Sequence, residues 1–169
     1  MHKRNLSFSI LVPLFLGLVG FFMVVGPKAL NPINVEWLLR GESLEDYLAW
    51  VFYREAPWGF PIGINPNYGL EISSSIVYSD SIPLLAIIFK VIGSILPSQF
   101  QYFGIWLLVC FLLQAMAAWQ LIRLVTDNKI VLISGTGLFL FSPLMLWRIE
   151  ELQGALVGHF LVLYALYLN

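Results

Sequence analysis

The stretch FSILVPLFLGLVGFFMVV, residues 8–25, decides the fold class of this chain because it carries no charged side chain along its whole length. An apolar run of about 18 residues or more is typical of a helix that crosses a bilayer. His2, Lys3 and Arg4 precede the run, and the positive-inside rule then places the N-terminus in the cytoplasm. A secretory signal is the competing interpretation, but its apolar core is usually about 7 to 15 residues long and no A-x-A-like cleavage site follows here. We therefore predict a first transmembrane helix over residues 8–27.

The composition supports the same class. Hydrophobic residues make up 59% of the chain and charged residues only 11%, which is typical of a membrane protein. The net charge of −1 gives no basic surface for nucleic acid, and no CxxC, HExxH or P-loop pattern is present. Cys110 is the single cysteine, so no internal disulfide can form, and we expect it to be packed or lipid-facing. The sequence predicts an all-α integral membrane protein, a polytopic helical bundle in the cell inner (cytoplasmic) membrane.

Three later apolar runs predict further spans. The second and third transmembrane helices are predicted over residues 102–125 and 130–147, and the start of a fourth over residues 155–169. The last run is shorter than the roughly 20 residues that a span needs. We therefore expect the chain to be the N-terminal part of a longer multi-pass protein.

Residues 82–96, IPLLAIIFKVIGSIL, are apolar but short, and they contain Lys90. As a helix they would extend about 22 Å, less than the roughly 30 Å of a hydrocarbon core. If they do not cross, Arg123 and Lys129 fall on the same side as the basic N-terminus, as the positive-inside rule expects. We predict an interfacial or re-entrant helix here, within one large extracytoplasmic loop over residues 28–101.

A second interfacial helix is predicted over residues 43–55. Its apolar side chains recur at helical spacing and form one stripe: Leu44, Tyr47, Leu48, Val51 and Phe52. Ser43 has the residue type of an N-cap, and Asp46 stands at the capping-box position three residues later. Such an amphipathic helix would lie along the membrane surface.

Carboxylates in the predicted outer loop are candidates for chemistry. Glu42, Glu45 and Asp46 cluster in GESLEDY, and Asp80 stands alone in YSDSIP. Such groups could act as a general base or hold a divalent metal. Local structural roles compete with that interpretation: Asp46 fits a capping box, Glu45 fits a first helical turn, and Asp80 could cap a helix that begins near Pro83. Glu42 has no such local explanation.

Basic side chains at the predicted membrane boundaries are candidates for binding. Arg148 lies in a second outer patch, residues 148–154, and His159 follows at the edge of the next span. An ionisable residue at that depth indicates a functional site by default, although His159 could equally bond a neighbouring helix. Arg54 and Lys90 could pair with a lipid phosphate or could simply extend towards the interface.

The loop REAPWGFPIGINPNYG, residues 54–69, combines stiffness with aromatic surface. Prolines fix φ and glycines permit tight turns, so the loop is held in place at low entropic cost. Trp58, Phe60 and Tyr68 then offer flat apolar faces beside amide groups, which suit sugars and isoprenoid chains. The alternative is an ordered surface loop that packs on the membrane.

Taken together, the first helix, the acidic outer loop, the amphipathic helix and the SIPLL segment resemble the GT-C superfamily of membrane glycosyltransferases. More narrowly, residues 41–90 and FQYFGIWLLVCFLLQA, residues 100–115, resemble an uncharacterised bacterial multi-pass family placed in that superfamily. The resemblance runs from about Asn34 to the end of the chain. It implies hexosyl transfer from a polyprenyl-phosphate donor to an acceptor at the outer face of the membrane, in the building of the cell envelope.

The resemblance also implies roles for particular residues. In the family pattern an Asp follows the glycine, and a polar pair ending in His comes shortly after. Glu42 and Asp46 occupy those places here, and we predict both to be catalytic, with Glu42 as the base, or Asp46 if the two roles have exchanged. The predicted substrate-binding residues are Trp58, Asn65, Tyr68, Asp80, Arg148 and His159. Arg148, His159 or a divalent metal would stabilise the departing phosphate. A transporter or flippase, and a non-catalytic envelope-assembly protein, remain the alternative classes.

Overall fold

The computed structural model describes residues 6–69, 72–151 and 153–169. Most of these residues are helical, which confirms the predicted helical class. The α-helices are α1 (Leu6–Val24), α2 (Gly41–Glu55), α3 (Pro83–Val91), α4 (Phe103–Ile122), α5 (Lys129–Leu140), α6 (Pro143–Glu150) and α7 (Phe160–Leu168). Two short antiparallel strands pair Ile64 with Ser75 and Asn65 with Ser74: β1 (Ile64–Asn65) and β2 (Ser74–Ser75).

The chain divides into two compact units. The first comprises Met1–Pro27, Ile105–Trp147 and Val157–Asn169, and the second comprises Lys28–Gly104 and Arg148–Leu156. The predicted apolar spans thus supply most of the first unit, whereas the predicted outer loop supplies most of the second.

Two helical segments among the described residues are long and apolar enough to cross a membrane. They are Phe103–Ile122 and Lys129–Glu150, with 20 and 22 residues. The apolar helices Phe8–Val24 and Gly154–Leu168 are shorter. The length and composition of these helices therefore agree with spans at the places that the sequence predicts for the second and third transmembrane helices.

The third predicted span is interrupted, although residues 130–147 predict one continuous helix. Helix α5 ends at Leu140, Phe141 is its C-cap, and α6 begins at Pro143. Proline suits a first helical turn because its fixed φ is helical and its missing N–H would have no partner there. Pro143 therefore marks a new helix start within an otherwise continuous apolar run.

In the first unit, α1 and α4 approach closely at a glycine. A Cβ atom built on Gly17 would lie 2.8 Å from the carbonyl oxygen of Phe111. One turn further along α1, the rings of Phe21 and Phe111 meet edge to face with their centroids 6.0 Å apart. Small residues at such a contact let two backbones pack directly, so Gly17 sets the distance between these helices.

In the second unit, one face of α2 is buried, and two side chains on it donate hydrogen bonds to backbone carbonyls elsewhere in the unit. Trp50 Nε1 donates to Phe100 O at 3.0 Å, and the Tyr53 hydroxyl donates to Ile62 O at 2.7 Å. Both side chains are fully buried. Within the predicted apolar stripe, Tyr47 is buried with this face, whereas Leu48 and Phe52 remain exposed.

The predicted start of the second helix was wrong. Helix α2 begins at Gly41, with Arg40 as N-cap. The Ser43 hydroxyl donates to Leu38 O at 2.9 Å and to Arg40 O at 2.7 Å, so Ser43 is not the N-cap. Because the helix starts earlier, Asp46 lies in its second turn and cannot complete a capping box.

The helix predicted over residues 82–96 forms as α3 followed by a 3₁₀ turn, Gly93–Ile95. Its N-cap is Ile82, at φ 50° in the left-handed region, and no side chain caps it. Pro83 occupies the first helical position. The alternative role of Asp80 as the cap of this helix is therefore excluded.

Candidate active site

Asp46 is the centre of the candidate site, and it lies on the buried face of α2. Its side chain is only 6% exposed. Its Oδ1 accepts a hydrogen bond of 3.1 Å from the backbone N–H of Asp80. The other oxygen, Oδ2, accepts no hydrogen bond from the part of the chain that the structure describes. One carboxylate oxygen is thus fixed while the other keeps its lone pairs.

A buried chain of hydroxyl groups holds the segment before α3 against α2. Ser81 Oγ donates to the backbone oxygen of Asp46 at 2.6 Å. The hydroxyls of Ser79 and Ser81 lie 2.8 Å apart, and the Tyr102 hydroxyl donates to Ser81 O. Ser81 and Tyr102 are fully buried. These bonds fix the position of Asp80, and hence of the N–H that orients the Asp46 carboxylate.

The pKa of Asp46 is raised from 3.8 to about 7, chiefly because burial disfavours the charged carboxylate. The negative charge of Asp80 contributes to this rise, the charges of Glu42 and Glu45 contribute less, and the hydrogen bond from the Asp80 N–H acts in the opposite direction. Asp46 therefore gains and loses its proton near neutral pH. A carboxyl tuned to that range can accept a proton from a substrate and then release it.

Glu42 and Arg148 are linked through Gln153. Gln153 Nε2 donates to Glu42 Oε2 at 3.0 Å, and Arg148 Nη1 donates to Gln153 Oε1. The amide group of Gln153 therefore faces a cation with its oxygen and an anion with its nitrogen. Glu42 itself is exposed on the first turn of α2.

Gln153 lies within the predicted outer patch, residues 148–154, but nothing in the sequence predicts a role for it. The bond to Glu42 joins residues 111 positions apart in the chain, and no local pattern announces a contact at that separation. The sequence offers only an indirect signal for this contact. Arg148 and Gln153 are polar residues within an otherwise apolar stretch, which marks the segment but does not identify Glu42 as its partner.

The three predicted sugar-contacting residues have different surroundings. Trp58 is 54% exposed. The Tyr68 hydroxyl lies 3.4 Å from Glu45 O, and its ring contacts Phe52. Asn65 is fully buried, and its Nδ2 donates to Ala49 O at 2.9 Å, so its amide joins β1 to α2. Their contacts with a sugar remain predictions.

His159 belongs to the first compact unit, whereas Glu42, Asp46, Asp80 and Arg148 belong to the second. It precedes α7 as the N-cap residue and is half-buried. Its predicted role at the departing phosphate remains a prediction.

No three His, Cys, Asp or Glu side chains within residues 6–69, 72–151 and 153–169 converge closely enough to hold a metal ion. The carboxylates of Asp80, Glu42 and Glu45 act on Asp46 electrostatically. Among the described residues, the site therefore consists of a proton acceptor with a raised pKa, Asp46, and a second acid, Asp80. A hydrogen-bonded link from Arg148 through Gln153 to Glu42 belongs to the same unit.

Comparison with known proteins gives a family without an assigned activity. No curated protein and no solved structure matches the chain. A family described as a domain of unknown function, DUF6311, matches residues 14–169. That match assigns no glycosyltransferase activity, so the GT-C resemblance remains a prediction. Because the match spans nearly the whole sequence, the chain belongs to the DUF6311 family.

Proposed function

We propose that the protein is a GT-C-type glycosyltransferase of the cytoplasmic membrane. It would move a hexose from a polyprenyl-phosphate donor to an acceptor at the outer face. The observation that carries this proposal is the Asp46 carboxyl, which is buried beside Asp80 and has its pKa raised to about 7. This carboxyl lies in the loop that follows the first apolar helix, where the resemblance implies the catalytic base.

The proposed topology has the N-terminus in the cytoplasm and residues 28–101 outside. It rests on the positive charges before α1 and between α4 and α5. The α2 and α3 helices would then lie at the outer surface of the membrane, where a lipid-linked sugar is presented. Multi-pass insertion through α1, α4 and the α5–α6 segment completes this arrangement.

In the proposed reaction, Asp46 Oδ2 accepts the proton of an acceptor hydroxyl. The acceptor oxygen forms a bond to the anomeric carbon as the bond from that carbon to the phosphate oxygen breaks. The electron pair of the broken bond leaves with polyprenyl phosphate. Asp46 then returns its proton to solvent, which its pKa near 7 allows at neutral pH.

The geometry favours Asp46 over Glu42 as the base. Asp46 is buried and oriented by a backbone N–H, whereas Glu42 is exposed and held by Gln153. Glu42 would instead contact hydroxyl groups of the sugar or acceptor. Arg148, behind Gln153, would supply positive charge for the departing phosphate.

The test is transfer of radiolabelled sugar from a panel of polyprenyl-phosphate donors, in membranes that contain the protein. We expect Asp46→Asn to lower the transfer rate by roughly 10²–10⁴-fold, the usual contribution of a general base. Glu42→Gln should have a smaller effect. Glu36→Gln is the matched control, since Glu36 is an exposed acid of the same unit outside the cluster.

Two results would reject the proposal. Asp46→Asn with the same transfer rate as the unmodified protein would remove Asp46 from catalysis. Absence of transfer from every donor, with the protein shown to be folded, would favour a transport or envelope-assembly role.

A further inference from the structure

A polar pocket of about 530 Å³ lies in the second unit, near the ends of α2 and α3. It is lined by Arg54, Glu55, Lys90, Gly93, Ser94, Leu96 and Ser98. Asp46 lies on the same helix as Arg54 but two turns earlier, about 12 Å away along the helix axis. The pocket is therefore separate from the Asp46 carboxyl, although Trp58, a predicted sugar-contacting residue, lies beside its Lys90.

Lys90 is a buried cation that forms no ion pair within the described residues. Its side chain is only 7% exposed. Its Nζ lies 4.0 Å from the centre of the Tyr53 ring and 4.8 Å from that of Trp58. Burial lowers the pKa of Lys90. Contacts with two aromatic rings offset only part of the cost of removing the Lys90 ammonium group from water. An anion bound beside this group would offset more of that cost, so the site favours a negatively charged ligand.

Arg54 supplies a second positive charge at the same pocket. Its guanidinium group donates to Pro97 O at 2.6 Å, Leu96 O at 2.7 Å and Gly93 O at 2.8 Å. These bonds hold the turn after α3 as a wall of the pocket. Their acceptors are neutral carbonyls, and no ion pair with a carboxylate is formed in the described part of the chain. Arg54 therefore keeps its positive charge at the pocket, partly offset by the charge of Glu55.

An apolar surface adjoins this cationic pocket. Five large apolar side chains of α3 and the turn after it are exposed: Leu84, Ile88, Val91, Ile92 and Ile95. They recur at helical spacing, which places them on one side of the segment. Gly93 and Ser94, in the same turn, line the pocket. Lys90 lies on the opposite side of α3, so the pocket meets the apolar surface through this turn, where Ile92 and Ile95 flank Gly93 and Ser94. A lipid with an anionic head group needs a cationic site and an apolar surface that meet in this way.

We propose that this pocket binds the phosphate head group of an anionic membrane lipid. Lys90 Nζ contacts the phosphate, Arg54 adds a long-range attraction, and the acyl chains follow the exposed side of α3. A phosphomonoester such as phosphatidic acid fits best, because a choline group would place a second cation beside Lys90. Glu55, the one acid that lines the pocket, weakens the binding. This site is independent of sugar transfer.

The first experiment is a calorimetric titration of the detergent-solubilised protein. The titrants are short-chain phosphatidic acid, short-chain phosphatidylcholine and inorganic phosphate. We expect phosphatidic acid to bind at least about tenfold more tightly than either of the others, a difference of about 1.4 kcal/mol. Equal affinity for inorganic phosphate would overturn the assignment to a lipid. Equal affinity for phosphatidylcholine, or no binding of phosphatidic acid, would overturn the proposal.

Three variants locate the site. Lys90→Gln should weaken binding of phosphatidic acid about tenfold or more. Lys129→Gln is the matched control and should leave it unchanged, since Lys129 also lies over an aromatic ring, 5.0 Å from the centre of Phe8, but is exposed in the other unit.

Glu55→Gln should tighten the binding, and because Glu55 is exposed the substitution leaves the core intact. It keeps the test decisive if Lys90→Gln fails to fold. Identical affinities for the Lys90 and Lys129 variants, or an unchanged affinity for Glu55→Gln, would contradict the proposal.

Discussion

At the scale of single residues, the environment of Asp46 predicts how stability depends on pH. The pKa of Asp46 is about 7 in the folded protein, against an ordinary value of 3.8 for an exposed aspartate. The folded state therefore holds a proton that the unfolded state has already released between about pH 4 and 7. The free energy of unfolding consequently falls as pH rises through that window.

Asp46→Asn should remove this dependence. Asparagine keeps an oxygen for the N–H of Asp80 but cannot ionise. We expect the variant to gain thermal stability relative to the unmodified protein as pH rises from 4 to 7, as measured by melting in detergent at several pH values. If the melting temperatures of the two proteins change equally with pH across that range, Asp46 does not titrate there.

Ser81 is the residue through which the segment before α3 is joined to α2. Ser81→Ala removes the bond from its hydroxyl to the backbone oxygen of Asp46 and leaves that buried oxygen without this donor. We expect a loss of roughly 1–2 kcal/mol in the free energy of unfolding. Ser94→Ala, at an exposed serine, should change stability by less than about 0.5 kcal/mol. Equal effects of the two substitutions in denaturant titrations would contradict the assigned role.

The acids of the candidate site could be picked out from the sequence, but the hydrogen bonds that hold Asp46 in place could not. Glu42 and Asp46 could be identified because they lie close together near a predicted helix start. The dependence of Asp46 on Asp80, Ser81 and Tyr102 could not be predicted. Those bonds join segments distant in sequence, and their partners are backbone groups that carry no residue-type signal.

At the scale of secondary-structure elements, Gly104 controls how the start of α4 packs. A Cβ atom at this position would lie 1.8 Å from Ala29 O. The Gln101 side chain bonds the same segment, because its Nε2 donates to Ala29 O and Asn31 O at 2.8 and 2.9 Å. The backbone around Ala29 is therefore fixed and cannot move aside easily.

Gly104→Ala should destabilise the protein by at least about 2 kcal/mol, the cost of inserting an atom into a packed contact. Gly137→Ala provides the matched control, since Gly137 is also helical and a Cβ atom there would meet nothing within 4 Å. The control should be neutral or stabilising by up to about 1 kcal/mol. Unfolding in a denaturing detergent series would compare them, and a tolerated Gly104→Ala would disprove the close packing.

Helices that depend on hydrophobic length were predicted well, and their ends were predicted poorly. The 102–125 prediction corresponds to α4, because a long apolar run has few alternatives. Ser43 and Asp80 were candidate caps because of residue type alone, yet Arg40 and Ile82 occupy those positions. The Ser43 hydroxyl donates instead to Leu38 O, five residues earlier, and the Asp80 N–H donates to Asp46, 34 residues away.

At the scale of the whole molecule, the proposed topology predicts which surfaces face outwards. In a Cys110→Ala background, Tyr78→Cys would place a thiol at an exposed position of the second unit, and Val125→Cys at an exposed position after α4. A membrane-impermeant maleimide should label residue 78 in intact cells. It should label residue 125 only after permeabilisation. Labelling of both positions from the same side would refute the topology.

Composition was sufficient to predict a helical chain with apolar segments of spanning length, and the structure has two of them among its described residues. Contacts between segments that are distant in sequence could not be predicted from composition. The link from Glu42 through Gln153 to Arg148 depends on chain segments 111 residues apart, and hydrophobic periodicity carries no information about such pairings.

The most direct test of the central claim is the initial rate of sugar transfer as a function of pH, with the donor identified in the panel assay. With Asp46 as the base, the rate should fall about tenfold per pH unit below about 7 and become constant above it. A rate that does not change between pH 5 and 8 would contradict the assignment of Asp46 as the catalytic base.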